Sequence, residues 1–574
     1  VFDRGGLLGL VALALYVVVA PAHIVDGDNA EMATLGTVGG AAHPTGYPAY
    51  LIWLRLTSWL PSATPAHTAA IATAILGAAS VVMLHAACRA WGARPVAATV
   101  TAAMFAVAPA VLRYNSEAEA FAMNGLVVAT ILWLAAANGP LRGDARVAVL
   151  AVVAGLGISD HLTCVLAAPV GILGVVRGVR ESTHRATTIG AGIVALALGL
   201  LPYLYLAATA ENAVSWGGLD SAGALVDHLL RRAYGGAGSF SPHSGELHVG
   251  ANLVALGVSL GRAWLWLPLA GGLWILGYQI ARPGDGEPRS SWLMLALAFV
   301  IAGPILATRF DVEPTGLGLY VVRRFHLLPT LLLAPAVAIA VDRGYQLIAR
   351  VRVEIIAVLA CACVVTSGLI AVTDVARVRT PAVENGLHAL LVNLPPNAVV
   401  LLSGDLPYLG AGYLQVARGE RPDVIVALWH FVGVRWFRDR LARRGLVVDS
   451  RDDAKPSIRI AEEILASGRP LFVDLSLGNI LKELPSYPYG TLFRILPRGT
   501  PVPSLDDVVA QNRAWFASID LDYPPPGTDD EYPTQIHAGY AATWRILAEA
   551  FAARGQRAQA LDAATLAQQI GPQP

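Results

Sequence analysis

Charge is scarce in this chain: Asp, Glu, Lys and Arg make up 14% of 574 residues, the formal net charge is zero, and no long acidic or basic block occurs. Nucleic-acid binding draws on a basic patch or stripe, so nothing here points to a nucleic-acid partner. Cysteine is scarcer still. The four cysteines, Cys88, Cys164, Cys361 and Cys363, lie in or beside apolar runs, and none follows residue 373. That distribution leaves no disulfide framework and no Cys-His spacing of the kind that holds zinc. What fills the chain instead is apolar: 55% hydrophobic residues and a mean hydropathy of +0.55. The length would accommodate roughly three or four soluble domains, but this composition reads as a polytopic membrane protein.

A helix needs roughly 20 apolar residues to cross the bilayer core. On that basis spans are expected near 5–24, 66–88, 95–112, 120–138, 146–159, 162–179, 187–208, 251–280, 291–308, 325–341 and 353–373, eleven crossings in all. The first run ends in Ala20-Pro21-Ala22, which resembles a signal-peptide cleavage site. The many apolar runs behind it favour a first span. The chain starts at Val1 rather than Met, which leaves an upstream segment open, with Arg4 the visible anchor on that side.

Arginine accumulates in alternate connections: Arg89 and Arg94; Arg142 and Arg146; Arg177, Arg180 and Arg185; Arg282 and Arg289; Arg343, Arg350 and Arg352. Cationic loops stay in the cytoplasm. The expectation is therefore a plasma (inner) membrane protein with a cytoplasmic N-terminus and everything after residue 373 extracytoplasmic. The segment 47–60 is apolar but short and carries Arg55, so it is expected to lie in the interface.

After residue 374 the pattern changes to short apolar runs between amphipathic stretches. "AVVLLSG", "DVIVALW", "PLFVDLS" and "GTLFRILP" read as strands, and "GLHALLVNL", "LGAGYLQVARG" and "VRWFRDRLARRG" as helices. In the tail, Trp544, Leu547, Ala548, Phe551, Ala560, Ala567 and Pro572 have the spacing of one tetratricopeptide (TPR) unit. A single unit cannot bury its own face, so it is expected to pack on the α/β domain.

The loops expected outside carry the unusual residues. Asp26, Asp28 and Glu31 directly follow the first apolar run, and each would cost roughly 2.5–3.5 kcal/mol at mid-bilayer, so the chain must reach water there. Outward loops collect carboxylates in any case, and solvation alone accounts for three acids. The order of the residues is more specific: a span, Asp-x-x-Glu, small residues, His43-Pro44-Thr45-Gly46, then an interfacial aromatic segment.

In that order the sequence resembles the GT-C glycosyltransferases, among them the protein O-mannosyltransferases. It is most similar to a mainly bacterial membrane-protein family related to animal enzymes that O-mannosylate receptor ectodomains. "GDNAEM" corresponds to that family's acidic motif through Asp28 and Glu31, and "HPTGYPA" to its His-Pro turn through His43. "EAFAMN" supplies Glu119 and Asn124, and "GLGISDHLT" supplies His161 with Asp160 in place of Asn. "VSWGGLDS", "RRAYGG" and "RRFHLLP" supply Trp216, Tyr234, Arg324 and Phe325, while "SGDLPYL" and "GERPDVIV" match in the last third. Thr45, Ala30 and Phe121 also depart from the family pattern.

The resemblance implies a polyprenyl-phosphate sugar donor, membrane lipid around it, and an exported protein or a surface glycan as acceptor. A phosphate is already a good leaving group, so the two carboxylates of a glycosidase are not needed. One base suffices, and inversion at the anomeric carbon is expected. Asp28 is the candidate base, with Asp26 as competitor. Glu31 and Glu119 are candidates to orient hydroxyls, and His43 either holds Asp28 or the phosphate, or fixes its own turn.

Arg323 and Arg324 precede an apolar run and suit bidentate phosphate contacts, with Arg231, Arg232 and Arg113 as second choices. An arginine there also serves as a headgroup anchor. Asn124, His161, Trp216 and Tyr234 enter as donor or acceptor contacts on resemblance alone. Clustered carboxylates suit Mg²⁺ or Mn²⁺, whereas the resemblance implies metal-independent transfer, so no metal ligand is assigned. Arg421 and Asp423 either hold the acceptor or form an ion pair.

The fold class expected is a polytopic α-helical membrane protein of GT-C type with about 11 transmembrane helices over 1–373. It continues into an extracytoplasmic α/β domain over 374–505 and a TPR-like helical hairpin over 506–574. A lipid or cell-wall polysaccharide acceptor is the alternative within that class. A transporter is disfavoured, because ionisable residues are nearly absent from the spans. A scaffold without catalysis is disfavoured by Asp28, Glu31 and Glu119.

Overall fold

A computed structural model describes residues 4–234, 247–282, 286–349, 353–448 and 456–573. Two compact units emerge: Val1–Ala22 with Leu35–Ala376, and His23–Thr34 with Arg377–Pro574. The second unit thus includes the segment that carries Asp26, Asp28 and Glu31.

The first unit is helical. Five helices are long and apolar enough to cross a membrane: Pro65–Ala90, Leu162–Glu181, Arg185–Thr209, Gly316–Leu347 and Val358–Val392. The run expected as one crossing over 251–280 is instead two helices, Val249–Trp264 and Trp266–Ala281, bent by 105°, which make a sixth span if counted together. Leu265, between them, has φ +58°. Pro268 explains the break, since its ring would clash with the carbonyl four residues earlier and it has no N–H to give. Arg4–Val19, Pro95–Ala106, Phe121–Ala135 and Arg289–Ile305 are shorter apolar helices. The expected span 95–112 is likewise interrupted before Pro109, which starts the helix Pro109–Tyr114.

Helices meet closely through small residues. A Cβ on Gly155 would lie 2.5 Å from the carbonyl oxygen of Leu196 and 2.8 Å from Cα of Gly199, so the two backbones touch. Arg146, expected in a loop, is fully buried in the first turn of Gly143–Asp160. Its guanidinium reaches Glu181 at 3.0 Å and the Leu141 carbonyl at 2.9 Å. The segment expected to lie in the interface forms the nine-residue helix Pro48–Leu56, too short to cross. All four cysteines are free thiols.

The second unit is built on a five-stranded sheet: β1 (Val399–Leu402), β2 (Ile425–Leu428), β3 (Leu471–Val473), β4 (Ser486–Tyr489) and β5 (Leu492–Ile495). The order is β2-β1-β3-β5-β4. β1 pairs in parallel with β2 and β3, and β5 is antiparallel to β3 and β4. Continuous apolar runs suit β1 to β3, which are buried along their whole length. β4, "SYPY", is short and polar enough to be missed in the sequence. The C-terminal helices Glu531–Ala553 and Arg557–Ile570 share a core with the sheet edge, in which Trp544, Leu547 and Phe551 meet Trp515, Phe516 and Tyr487.

Candidate active site

The first acidic segment is a helix start and not the loop expected. The backbone carbonyl of Asp26 accepts from Ala30 N–H at 3.1 Å, and its Oδ1 accepts from Asn29 N–H at 2.7 Å. Asn29 Oδ1 in turn accepts from Val25 N–H at 3.3 Å. Asp26 is therefore the N-cap of the helix Gly27–Val38. Asp28 lies in its first turn, where the helix dipole favours a negative charge, and Glu31 follows three residues later on the same face. Asp26 and Glu31 are 1% and 2% exposed, whereas Asp28 is half-buried. Within this unit, Ile24 N–H donates to Glu384 at 2.9 Å, which anchors the segment.

The other expected site residues lie in the first unit, where most of them converge. The segment "RYNSEAEAF" turns from the short helix Pro109–Tyr114 into Phe121–Ala135. Arg113 pairs with Glu117 at 3.3 Å, and both are buried. Arg324 reaches Glu119 at 3.7 Å, and Tyr320 Oη donates to the same carboxylate at 3.3 Å. The Tyr320 ring takes both cations, with Arg113 at 5.1 Å and Arg324 at 5.3 Å from its centroid. Glu117, Arg113 and Tyr320 complete a charge network of which sequence pointed mainly to Glu119 and Arg324. Glu117 follows Arg113 by four residues, and that spacing is the signal available for it.

Beside this network runs a hydrogen-bond chain. Asn124 Nδ2 donates to Thr163 Oγ1 at 3.0 Å, and Thr163 Oγ1 meets His161 Nδ1 at 2.7 Å. Thr163 N–H also donates to Nδ1, at 3.3 Å, so Nδ1 is the acceptor and the imidazole proton sits on Nε2. The His161 ring lies 4.6 Å from Phe121, 5.6 Å from Tyr47 and 6.3 Å from Phe325. Tyr47 Oη and His43 Nε2 share a hydrogen bond of 3.0 Å, which links the His-Pro turn to the same cluster.

Trp216 stands elsewhere. Its N–H donates to the Ala41 carbonyl at 2.8 Å, and its ring stands 6.1 Å from His228. His228 Nε2–H donates to the Ala42 carbonyl at 3.0 Å. Burial holds His228 down to about 4, with His43 adding a smaller effect. Together they brace the turn, whose Gly46 has φ +94° and faces His228 and Leu206 with no room for a side chain. The side chain of Tyr234 lies outside the described residues.

Arg323 and Arg324 part company. Arg323 lines a cavity of about 370 Å³ whose walls include Ala251, Val254, Val258 and Leu319. His326 lines it too, with Nδ1 bonded to Ser259 Oγ at 2.8 Å and a buried Nε2 that has no partner among the described residues. Arg262 and Asp374, also on this cavity, pair with each other at 2.7 Å. Arg421 and Asp423 form a bidentate pair at 2.9 and 2.8 Å, and the guanidinium holds the carboxyl well below the usual range. Arg421 also ties down the Leu391 and Leu394 carbonyls, each at 2.8 Å. Among the described residues, no three His, Cys, Asp or Glu side chains stand close enough to chelate a metal.

A bundle of apolar helices, an acidic helix start after the first of them and an appended α/β unit define a multi-pass membrane protein of the GT-C fold. The fold matches that of ArnT from Cupriavidus metallidurans, solved with undecaprenyl phosphate, with a TM-score of 0.52 over 87% of this chain and 99% of that one, at 15% identity. In sequence the chain is similar to protein O-mannosyltransferases. Residues 28–184 match the model of the protein O-mannosyl-transferase TMEM260 N-terminal domain. Protein O-mannosyl-transferase TMEM260 of Mus musculus is 23% identical over 463 residues, 76% of this chain and 65% of that one. The Dictyostelium discoideum protein O-mannosyl-transferase tmem260 is 21% identical over 480 residues, 75% of this chain and 58% of that one. The chain thus spans less than two thirds of the length of either relative.

Proposed function

We propose that this protein is a membrane glycosyltransferase that moves a hexose, in the first instance mannose, from a polyprenyl phosphate to Ser or Thr hydroxyls of exported proteins. The observation that carries this reading is the 370 Å³ cavity, in which an arginine with no ion-pair partner among the described residues and a buried imidazole nitrogen meet largely apolar walls. A phosphate on an isoprenoid tail is the chemistry that satisfies both ends. Arg323 is the cation for the donor phosphate, and His326 Nε2 is the second contact. Arg324, already engaged by Glu119, positions that carboxylate.

Asp28 is assigned as the base. The acceptor O–H gives its proton to Asp28 as the oxygen attacks C1, and the C1–O bond to the phosphate breaks with its electron pair leaving on the polyprenyl phosphate. The product is inverted at C1. A positioned base contributes about 10² to 10⁴-fold. The likeness to named O-mannosyltransferases supports this reading. Reaction outside a plasma membrane, eleven crossings and a cytoplasmic N-terminus complete the proposal, supported by the arginine distribution.

The test is transfer of labelled mannose from a short polyprenyl-phosphate donor to exported protein, with peptide mass spectrometry. Arg323→Ala is expected to raise the KM for donor at least about tenfold, the loss of ~1.4 kcal/mol. Unchanged Ser and Thr hexosylation in cells lacking this chain overturns the acceptor assignment.

A further inference from the structure

The α/β unit holds a second cavity that the transfer reaction does not use. Its volume is about 740 Å³, within the roughly 300–1,000 Å³ typical of small-molecule sites. It opens where β1, β2 and β3 end: Ser403 follows β1, Trp429 and His430 follow β2, and Ser476 and Asn479 lie just after β3. Because β1 is central in the order β2-β1-β3, the chain leaves it toward β2 on one side and returns to β3 on the other. Ligands of α/β sheets bind at such a switch point, outside the carboxyl ends of the strands.

The mouth is built rather than accidental. Asp474 bridges the two strand ends, accepting from Ser403 N–H at 2.5 Å, Ser403 Oγ at 3.1 Å and Ser476 N–H at 3.0 Å. The two hydroxyls, Ser476 Oγ and Ser403 Oγ, are held 2.5 Å apart. Trp429 packs partly against the domain core while lining the cavity.

The chemistry of the lining narrows the ligand. An anion finds a poor site here: the lining hydroxyls of Ser403 and Ser476 both donate to the Asp474 carboxylate behind them, no glycine-rich loop follows β1, and the charged lining residues Lys482 and Glu483 are of opposite sign. An indole beside hydroxyls, an amide and an imidazole suits an uncharged ring that has one apolar face and an edge of hydroxyls. We propose that this cavity is a carbohydrate-binding site for a neutral hexose or short oligosaccharide. It is separate from the residues assigned to transfer and independent of that assignment.

The experiment is a tryptophan-fluorescence and calorimetric titration of the full-length, detergent-solubilised protein with methyl α-mannopyranoside and with mannobiose. Saturable binding is expected, weakened about tenfold or more, ~1.4 kcal/mol, by Trp429→Ala and by Asn479→Ala, and unaltered by Asp28→Asn. Asn479 is exposed, so its replacement reports on the site even if the Trp429 variant fails to fold. Absence of saturable binding, binding that survives both cavity substitutions, or displacement of the sugar by inorganic phosphate would each overturn the proposal. Loss of transfer with sugar binding intact counts against the transferase assignment alone, and the converse against this site alone.

Discussion

At the scale of single residues, the two aspartates at the start of the helix Gly27–Val38 have different work. Asp26 caps the helix through Oδ1, and asparagine caps as well as aspartate. Asp26→Asn is therefore expected to retain transfer within a few-fold. Asp28→Asn keeps the helix but removes the proposed base, and transfer should fall about 10² to 10⁴-fold with circular dichroism unchanged. Single-turnover rates on both variants decide the assignment: near-normal transfer by Asp28→Asn, or a loss in Asp26→Asn as large as that in Asp28→Asn, would overturn it. Asp160 presents the opposite situation. It is fully buried, and neither carboxylate oxygen has a hydrogen-bond partner among the described residues. A carboxyl so placed must either stay charged without a partner or take up a proton on folding, and both are destabilising, so Asp160→Asn is expected to raise the midpoint of thermal unfolding by a measurable amount. A lowered midpoint would mean that the carboxyl makes a favourable contact.

At the scale of elements, the His-Pro turn is held from outside itself. His228 carries the Ala42 carbonyl as a neutral imidazole held at about 4. His23, in the other unit, is lowered to about 4 as well, by burial first and then by Arg379. In both cases the folded value lies below the unfolded one near 6.5, so the unfolded chain binds more protons between these limits. Stability is full above about pH 6.5 and falls as the pH drops toward 4. For His228 the loss is on the order of 3 kcal/mol. Thermal unfolding in detergent at pH 7 and pH 4.5 should show it, and His228→Asn should shallow the dependence. A midpoint flat across that window would contradict the neutral imidazole.

At the scale of the whole molecule, the acids and the Arg–Glu–His cluster fall in different units of the chain. The segment His23–Thr34 belongs with Arg377–Pro574, although more than three hundred residues separate them in sequence. Reporter fusions after residues 28, 119 and 400 are predicted to report the same, extracytoplasmic side. A cytoplasmic signal at 400 would remove the odd number of crossings from the proposed topology.

Sequence alone determines what depends on neighbours along the chain. Apolar runs mark the helices, because only a helix satisfies its own backbone in lipid. The short runs VVLL, IVAL and LFV mark strands of the sheet, and the order of short motifs marks the GT-C likeness. Pro268 carried the signal for the bend at Leu265, but hydropathy averages over a single proline. Tertiary structure decides what depends on residues far apart. It separates Arg323 from Arg324, which hydropathy cannot tell apart, by giving one a carboxylate and three aromatic rings and the other an apolar cavity. It brings Asn124, Thr163 and His161 into one hydrogen-bond chain, and it places Asp26, Asp28 and Glu31 with the α/β unit. Hydropathy is a sum over local sequence, whereas hydrogen bonds and ion pairs act within a few ångströms in space, so only the folded chain can choose their partners.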